Sequence, residues 1–163
     1  MPTVDLPMYP SKGNRRALDN SWLALLHREG LLPYLSIVPE PPAELRLAIE
    51  EFNRGQYWRC HETLERVWLA EGYPLRLFYH ALIKAAVGLL HLEQHNYWGS
   101  KAKLRDGEYG LVPFLPRFMG VDTHRLRRDI IERLTYLQAD GAPDQEAIDQ
   151  LSQVKIYWLQ ESV

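Results

Sequence analysis

The chain has 163 residues, 46% of them hydrophobic, and its 19 basic and 21 acidic side chains leave a net charge of -2. That length suits one domain burying roughly 70% of its unfolded surface, and the near-neutral balance supplies no field to recruit nucleic acid or an anionic membrane. A single cysteine, Cys60, excludes an intrachain disulfide, and the first residues lack the basic and apolar blocks of a signal peptide, so a cytoplasmic location is expected.

Residues 1–42 read as an irregular, proline-rich N-terminal arm with a short helix. Pro2, Pro7, Pro10 and Gly13 break regular structure over the first 20 positions. Ser21 to Glu29, with apolar Trp22, Leu25 and Leu26 and with Gly30 as a stop, predicts the helix. Four prolines between Pro33 and Pro42 predict an extended surface run.

Residues 43–163 read as a helical domain. Leu45, Ala48, Ile49 and Phe52 follow the spacing i, i+3, i+4, i+7 of an amphipathic helix over 43–53. Asn53-Arg54-Gly55 turns the chain into a second helix, about Gln56 to Ala70, which Glu71-Gly72-Tyr73-Pro74 stops. The apolar run Leu75 to Leu92 is interrupted by Arg76, His80, Lys84 and His91, short of the roughly 20 uninterrupted apolar residues of a membrane span, and predicts a buried helix.

A pattern then recurs 40 residues on: Tyr57-Trp58 pairs with Tyr97-Trp98, Cys60 with Ser100 and Leu64 with Leu104. The recurrence is loosely similar to tetratricopeptide hairpins, but two units are too few for a solenoid, so a closed all-α bundle of antiparallel helical hairpins is expected. Pro113, Pro116 and Gly120 predict a loop, after which Asp122 or Thr123 caps a helix to about Gln138 with Leu126, Ile130, Leu134 and Leu137 as its stripe. Its four arginines are interspersed with Asp129 and Glu132 and read as a solvated face, not a nucleic-acid surface. Asp140-Gly141-Ala142-Pro143 predicts a turn, and Asp144 the cap of a last helix ending in Ile156-Tyr157-Trp158-Leu159.

On a helical wheel Tyr57, Cys60, His61, Leu64, Val67 and Trp68 share one arc, with Glu65 at its edge and Glu62 further round. His61 is expected to point inward with Glu65 as its hydrogen-bond partner one turn on. In the next helix His80, Lys84, His91 and His95 form a polar stripe among apolar residues, and a lysine there is costly unless a carboxylate meets it. The expectation is one interhelical pocket holding His61, Glu62, Glu65, Lys84 and His91, with Tyr57, Trp58, Trp68 and Trp98 as walls.

The run Phe52-Asn53-Arg54-Gly55-Gln56-Tyr57, continuing through His61-Glu62 and Glu65 to Trp68, resembles the motif F-N-x-G-x-[FY]-x-x-x-H-E-x-x-E-x-x-W. That motif marks domain-of-unknown-function family 309 of bacteria and archaea. Two further stretches are similar to it: Phe78 to Gly88 followed by His91, and Asn96-Tyr97-Trp98-Gly99-Ser100. His80 and Lys84 stand where the family commonly has glutamines, and Ala81 where it has glycine. The resemblance covers about residues 44–140. It implies an all-helical fold and a bacterial or archaeal cytosol, and it assigns no reaction.

Three readings of the polar cluster compete. It is a buried network that fixes helix packing, or a site for a small ligand or protein partner in which Lys84 anchors an anion, or a metal-dependent hydrolase site. No cofactor is expected in the first two. The third takes His-Glu-x-x-Glu as a variant of the zinc-protease helix, with His61, Glu65 and His91 as ligands of a divalent metal and Glu62 as base. The heavy aromatic content is compatible with a homodimer.

Overall fold

The computed structural model describes residues 15–138 and 143–160, so positions 1–14 of the expected arm and 140–142 of the expected turn lie outside the described residues. Seven helices are described: α1 (Arg15–Glu29), α2 (Ala43–Asn53), α3 (Tyr57–Ala70), α4 (Leu75–Glu93), α5 (Tyr97–Leu111), α6 (Thr123–Gln138) and α7 (Gln145–Leu151). A 3-10 turn, Val112–Phe114, follows α5, and no strand occurs among the described residues. The all-α class and the hairpin succession read from the sequence hold.

Helix α4 is the axis. Phe78, Leu82, Ala85, Ala86, Leu89 and Leu92 are fully enclosed, with α3 on one side and α5 on the other. By length and hydropathy α4 reaches the dimensions of a membrane span, which corrects the expectation that its polar interruptions leave it short. Its burial by neighbouring helices gives it the role of a core helix.

The internal recurrence is visible in the packing. Cys60 and Ser100 are both buried, as are Leu64 and Leu104, while Trp58 and Trp98 are both exposed. Asn96 caps α5 by accepting a hydrogen bond from Gly99 N at 3.0 Å, a bond that Gln56 does not supply to α3.

Two boundaries differ from the expectation. Helix α1 is already formed at Arg15, the first described residue and six before Ser21, and Leu18 joins Trp22, Leu25 and Leu26 on one buried face at i, i+4, i+7, i+8. It lies against the bundle, with Trp22 stacked on Tyr73 at 5.2 Å between ring centres. The last helix ends at Leu151, and the chain continues extended, burying Val154 and Ile156 on alternate positions. Asn53 clamps this segment, donating from Nδ2 to Ile156 O at 2.9 Å and accepting from Ile156 N at 2.7 Å. The backbone N–H and C=O of Ile156, which would otherwise need a β partner, are thereby both satisfied by one side chain.

Candidate functional site

The two faces of α4 are built from different residue types. Toward α5 they are small: Ser100 Oγ donates to Gly88 O at 2.8 Å, and a Cβ added at Gly107 would meet Ala85 N at 3.2 Å. Toward α3 they are larger and polar, and a cleft of about 260 Å³ opens, lined by His61, Glu65, Trp68, His80, Lys84 and Lys103 with Ile83 and Val87 beneath. A neighbouring cleft of about 380 Å³ lies toward α1, with Arg16, Asp19 and Asp106 in its walls. His80 and Lys84 line both and so separate them.

On the α3 side, His61 Nε2 stands 3.5 Å from Glu65 Oε2, and its ring stacks on Trp58 at 5.1 Å. The i, i+4 spacing places these two groups one turn apart on one face. Trp68 meets two α4 groups that are themselves one turn apart. The Arg76 guanidinium lies 4.2 Å from its ring centre and donates to its backbone carbonyl at 3.1 Å, while the His80 ring stacks on it at 4.8 Å. His61 Nδ1, Trp68 Nε1 and Arg76 Nη2 are buried with no hydrogen-bond partner among the described residues.

Behind Trp68 sits a buried ion pair. Asp19 of α1 accepts from Arg76 Nε at 3.1 Å and from the Tyr73 hydroxyl, and both Asp19 and Arg76 are at most 5% exposed. His80 Nδ1 is 3.7 Å from the same carboxylate. Burial and then the charge of Lys84 hold His80 down to about 4, against the opposing pull of Asp19. At neutral pH the imidazole is therefore uncharged, and Arg76 is the cation that balances Asp19.

Lys84 Nζ lies 3.7 Å from Asp106 Oδ2 of α5, a carboxylate whose side chain is 57% exposed. Lys103, one turn before Gly107 on α5, reaches into the cleft beside it. Burial, followed by the Lys103 charge, holds Lys84 below the usual lysine value, while Asp106 pulls the other way.

Of the residues expected to share a pocket, His61, Glu65, Lys84 and Trp68 do so. Glu62 is exposed and does not line the cleft. His91 is also outside it, with Nδ1 3.3 Å from Asn96 Nδ2, and His95 lies past the end of α4 with φ 59°. Tyr57 is buried and donates to Ser152 O at 2.5 Å; Trp98 is 81% exposed; Trp58 touches the site through His61 alone. The expected carboxylate for Lys84 was a glutamate of α3, and the structure supplies Asp106 of α5 instead.

The alternative metal set is split, since His61 and Glu65 are together and His91 is elsewhere. Among the described residues no group of three His, Cys, Asp or Glu side chains could hold an ion. Asp19, Lys103 and Asp106 are absent from the sequence-based set. Asp19 stands at i, i+3, i+7 with Trp22 and Leu26, a signal that an acidic residue shares the buried face of α1.

A polar cleft between antiparallel helices of an all-α hairpin bundle is thus the class that fold and site define. Residues 45–102 match the family model described as Domain of unknown function (DUF309), the family that the Phe52–Trp68 motif resembles. The matched segment includes His61, Glu65, Trp68, Arg76, His80 and Lys84, and stops just before Lys103 and Asp106. No curated protein and no solved structure matches the chain.

Proposed function

We propose that the cleft between α3 and α4 binds a small anion, a carboxylate or a phosphate, with Lys84 and Lys103 as its cationic partners. The observation that carries this reading is the approach of two lysines at one concave site whose nearest carboxylate to Lys84 is a solvent-facing aspartate at 3.7 Å. Bringing two like charges together at partly desolvated positions is unfavourable, and a bound anion offsets it. Apolar Ile83 and Val87 with the Trp68 ring suit a compact ligand with a hydrocarbon part, while His61 and His80 offer hydrogen-bonding nitrogens.

The buried Asp19–Arg76 pair has a different role. It is shielded from solvent and ties α1 to α4, which favours a structural function for that half of the polar cluster. Calorimetric titration with acetate, lactate and inorganic phosphate tests the division. Saturable one-to-one binding is expected for at least one of them, with loss of binding in Lys84→Met and Lys103→Met proteins that still melt cooperatively. Absence of saturable binding by all three, or binding indifferent to both substitutions, overturns the reading.

A further inference from the structure

We infer that Lys84 is an amine nucleophile that forms an imine with a small 2-oxo acid held in this cleft. The inference rests on the anion-binding reading above and adds the ligand's reacting group.

Geometry singles this lysine out. Its side chain is 22% exposed and lines both clefts, beside Ile83 and Val87 in one and Ala81 in the other. The titratable and charged groups facing it are His80 on its own helix, His61 and Glu65 from α3, Lys103, Asp106 and Tyr109 from α5, and Arg16 and Asp19 from α1. Asp19 is engaged by Arg76 and Glu65 lies beside His61, which leaves Asp106 as the carboxylate paired with Lys84. A lysine desolvated next to a second cation keeps more of its amine unprotonated, the usual way such side chains become nucleophilic near neutral pH. The depressed basicity of Lys84 agrees with that placement.

The two lysines then divide one ligand. A 2-oxo acid carries its carboxylate on the carbon next to its carbonyl, so Lys103 can hold the charge while Lys84 Nζ meets the carbonyl carbon. Attack forms the C–N bond and moves the carbonyl electron pair onto oxygen. A proton passes from nitrogen to that oxygen, giving the carbinolamine, and a second proton, drawn from solvent, lets the hydroxyl leave as water. The sum is amine plus carbonyl plus one proton giving iminium plus water. His80, one turn before Lys84 and uncharged at neutral pH, is the group placed to relay those protons.

The test is reductive trapping. The full chain is incubated with pyruvate and sodium borohydride and analysed by intact mass and peptide mapping. The expected product is a single adduct at Lys84, heavier than the protein by pyruvate less one oxygen, suppressed by excess lactate. The adduct should be lost in Lys84→Arg and in Lys84→Met. In Lys103→Met, with pyruvate raised far enough to offset the weakened carboxylate binding, the pH midpoint of trapping should move up, because the neighbouring charge is gone; a packing role alone would leave that midpoint in place.

Binding of lactate or pyruvate without trapping at Lys84 overturns the imine and leaves the anion cleft standing. No binding of either acid together with no trapping removes both. Adducts spread evenly over Lys101, Lys103 and Lys155 also overturn the inference, and mapping of the unmutated chain decides this even where a variant fails to fold.

Discussion

The two sides of α4 solve the same packing problem in opposite ways. Against α5 the contact is made by Gly88, Ser100, Gly107 and Gly110, all buried, so the helices meet with little between them. Against α3 and α1 it is made by Trp68, Arg76, His80 and Asp19, whose size and charge keep the helices apart and leave clefts. A seam of small residues transmits shape; a seam of large polar ones creates concave space with directed groups. Chemistry is therefore expected on the second side.

The strongest way to break this contrast is to remove the ion pair that props the polar side open. Asp19→Ala leaves the Arg76 guanidinium buried without its carboxylate, with only Nη1 still bonded, to Trp68 O, and should cost about 3–5 kcal/mol in urea denaturation. Replacing Asp19 and Arg76 together by apolar residues of similar volume should recover most of that loss. If the single substitution costs no more than a surface change, the pair does not hold α1 to α4.

Acid should weaken the polar side through His80. Its folded value lies near 4 and the ordinary value is 6.5, so between those limits the unfolded chain binds more protons and stability rises with pH. As pH falls from about 6.5 to about 4 the contribution is lost, on the order of 3 kcal/mol at most, with no further change from this group below that window. The difference between the wild-type and His80→Gln stability profiles isolates it. Parallel profiles over that window would mean that His80 is not held neutral by the fold.

How much of this is legible in the sequence follows from range. Helices α2 and α6 are written in local periodicity, and so is the inward arc of α3 that carries His61 and Trp68, because i, i+3 and i+4 relations are fixed by helix geometry; α4 shows as an apolar run and α5 through the 40-residue recurrence. The partner of Lys84 is not, since the choice between Glu65 and Asp106 depends on which neighbouring helix comes closer, and that is set by the glycines of α5. The misplaced end of α7 has a similar cause. Val154 and Ile156 continue an apolar pattern, but Asn53, about a hundred residues earlier, satisfies the backbone of Ile156 and makes the extended form stable. Asp19 was obscured by its proline-rich flank, which hid a helical face beginning at Leu18.

The small-residue side yields to an added methyl. A Cβ at Gly88 would stand 2.6 Å from Leu104 Cδ2 and 3.1 Å from Leu104 N, and Leu104 is fully buried with no room to swing aside. Gly88→Ala should therefore cost about 1–3 kcal/mol by overpacking, even against the roughly 1 kcal/mol that alanine adds to helix propensity. Introduced into a Leu104→Ala background the same change should be neutral or stabilising, because the clashing atoms are gone; equal effects in both backgrounds would deny the close contact.

The smallest expected effect concerns the two tryptophans related by the internal recurrence. Trp98 is 81% exposed, makes no ring contact among the described residues and does not line the cleft, so Trp98→Ala should change stability by less than about 0.5 kcal/mol and leave anion binding intact. Trp58 occupies the matching place in α3 but lies against the His61 ring, which it helps hold beside Glu65. Trp58→Ala should therefore weaken anion binding while sparing the melt. Equal responses at the two positions would make the recurrence purely architectural, whereas a difference confined to binding locates the tryptophan's contribution on the α3 copy and not on the α5 copy.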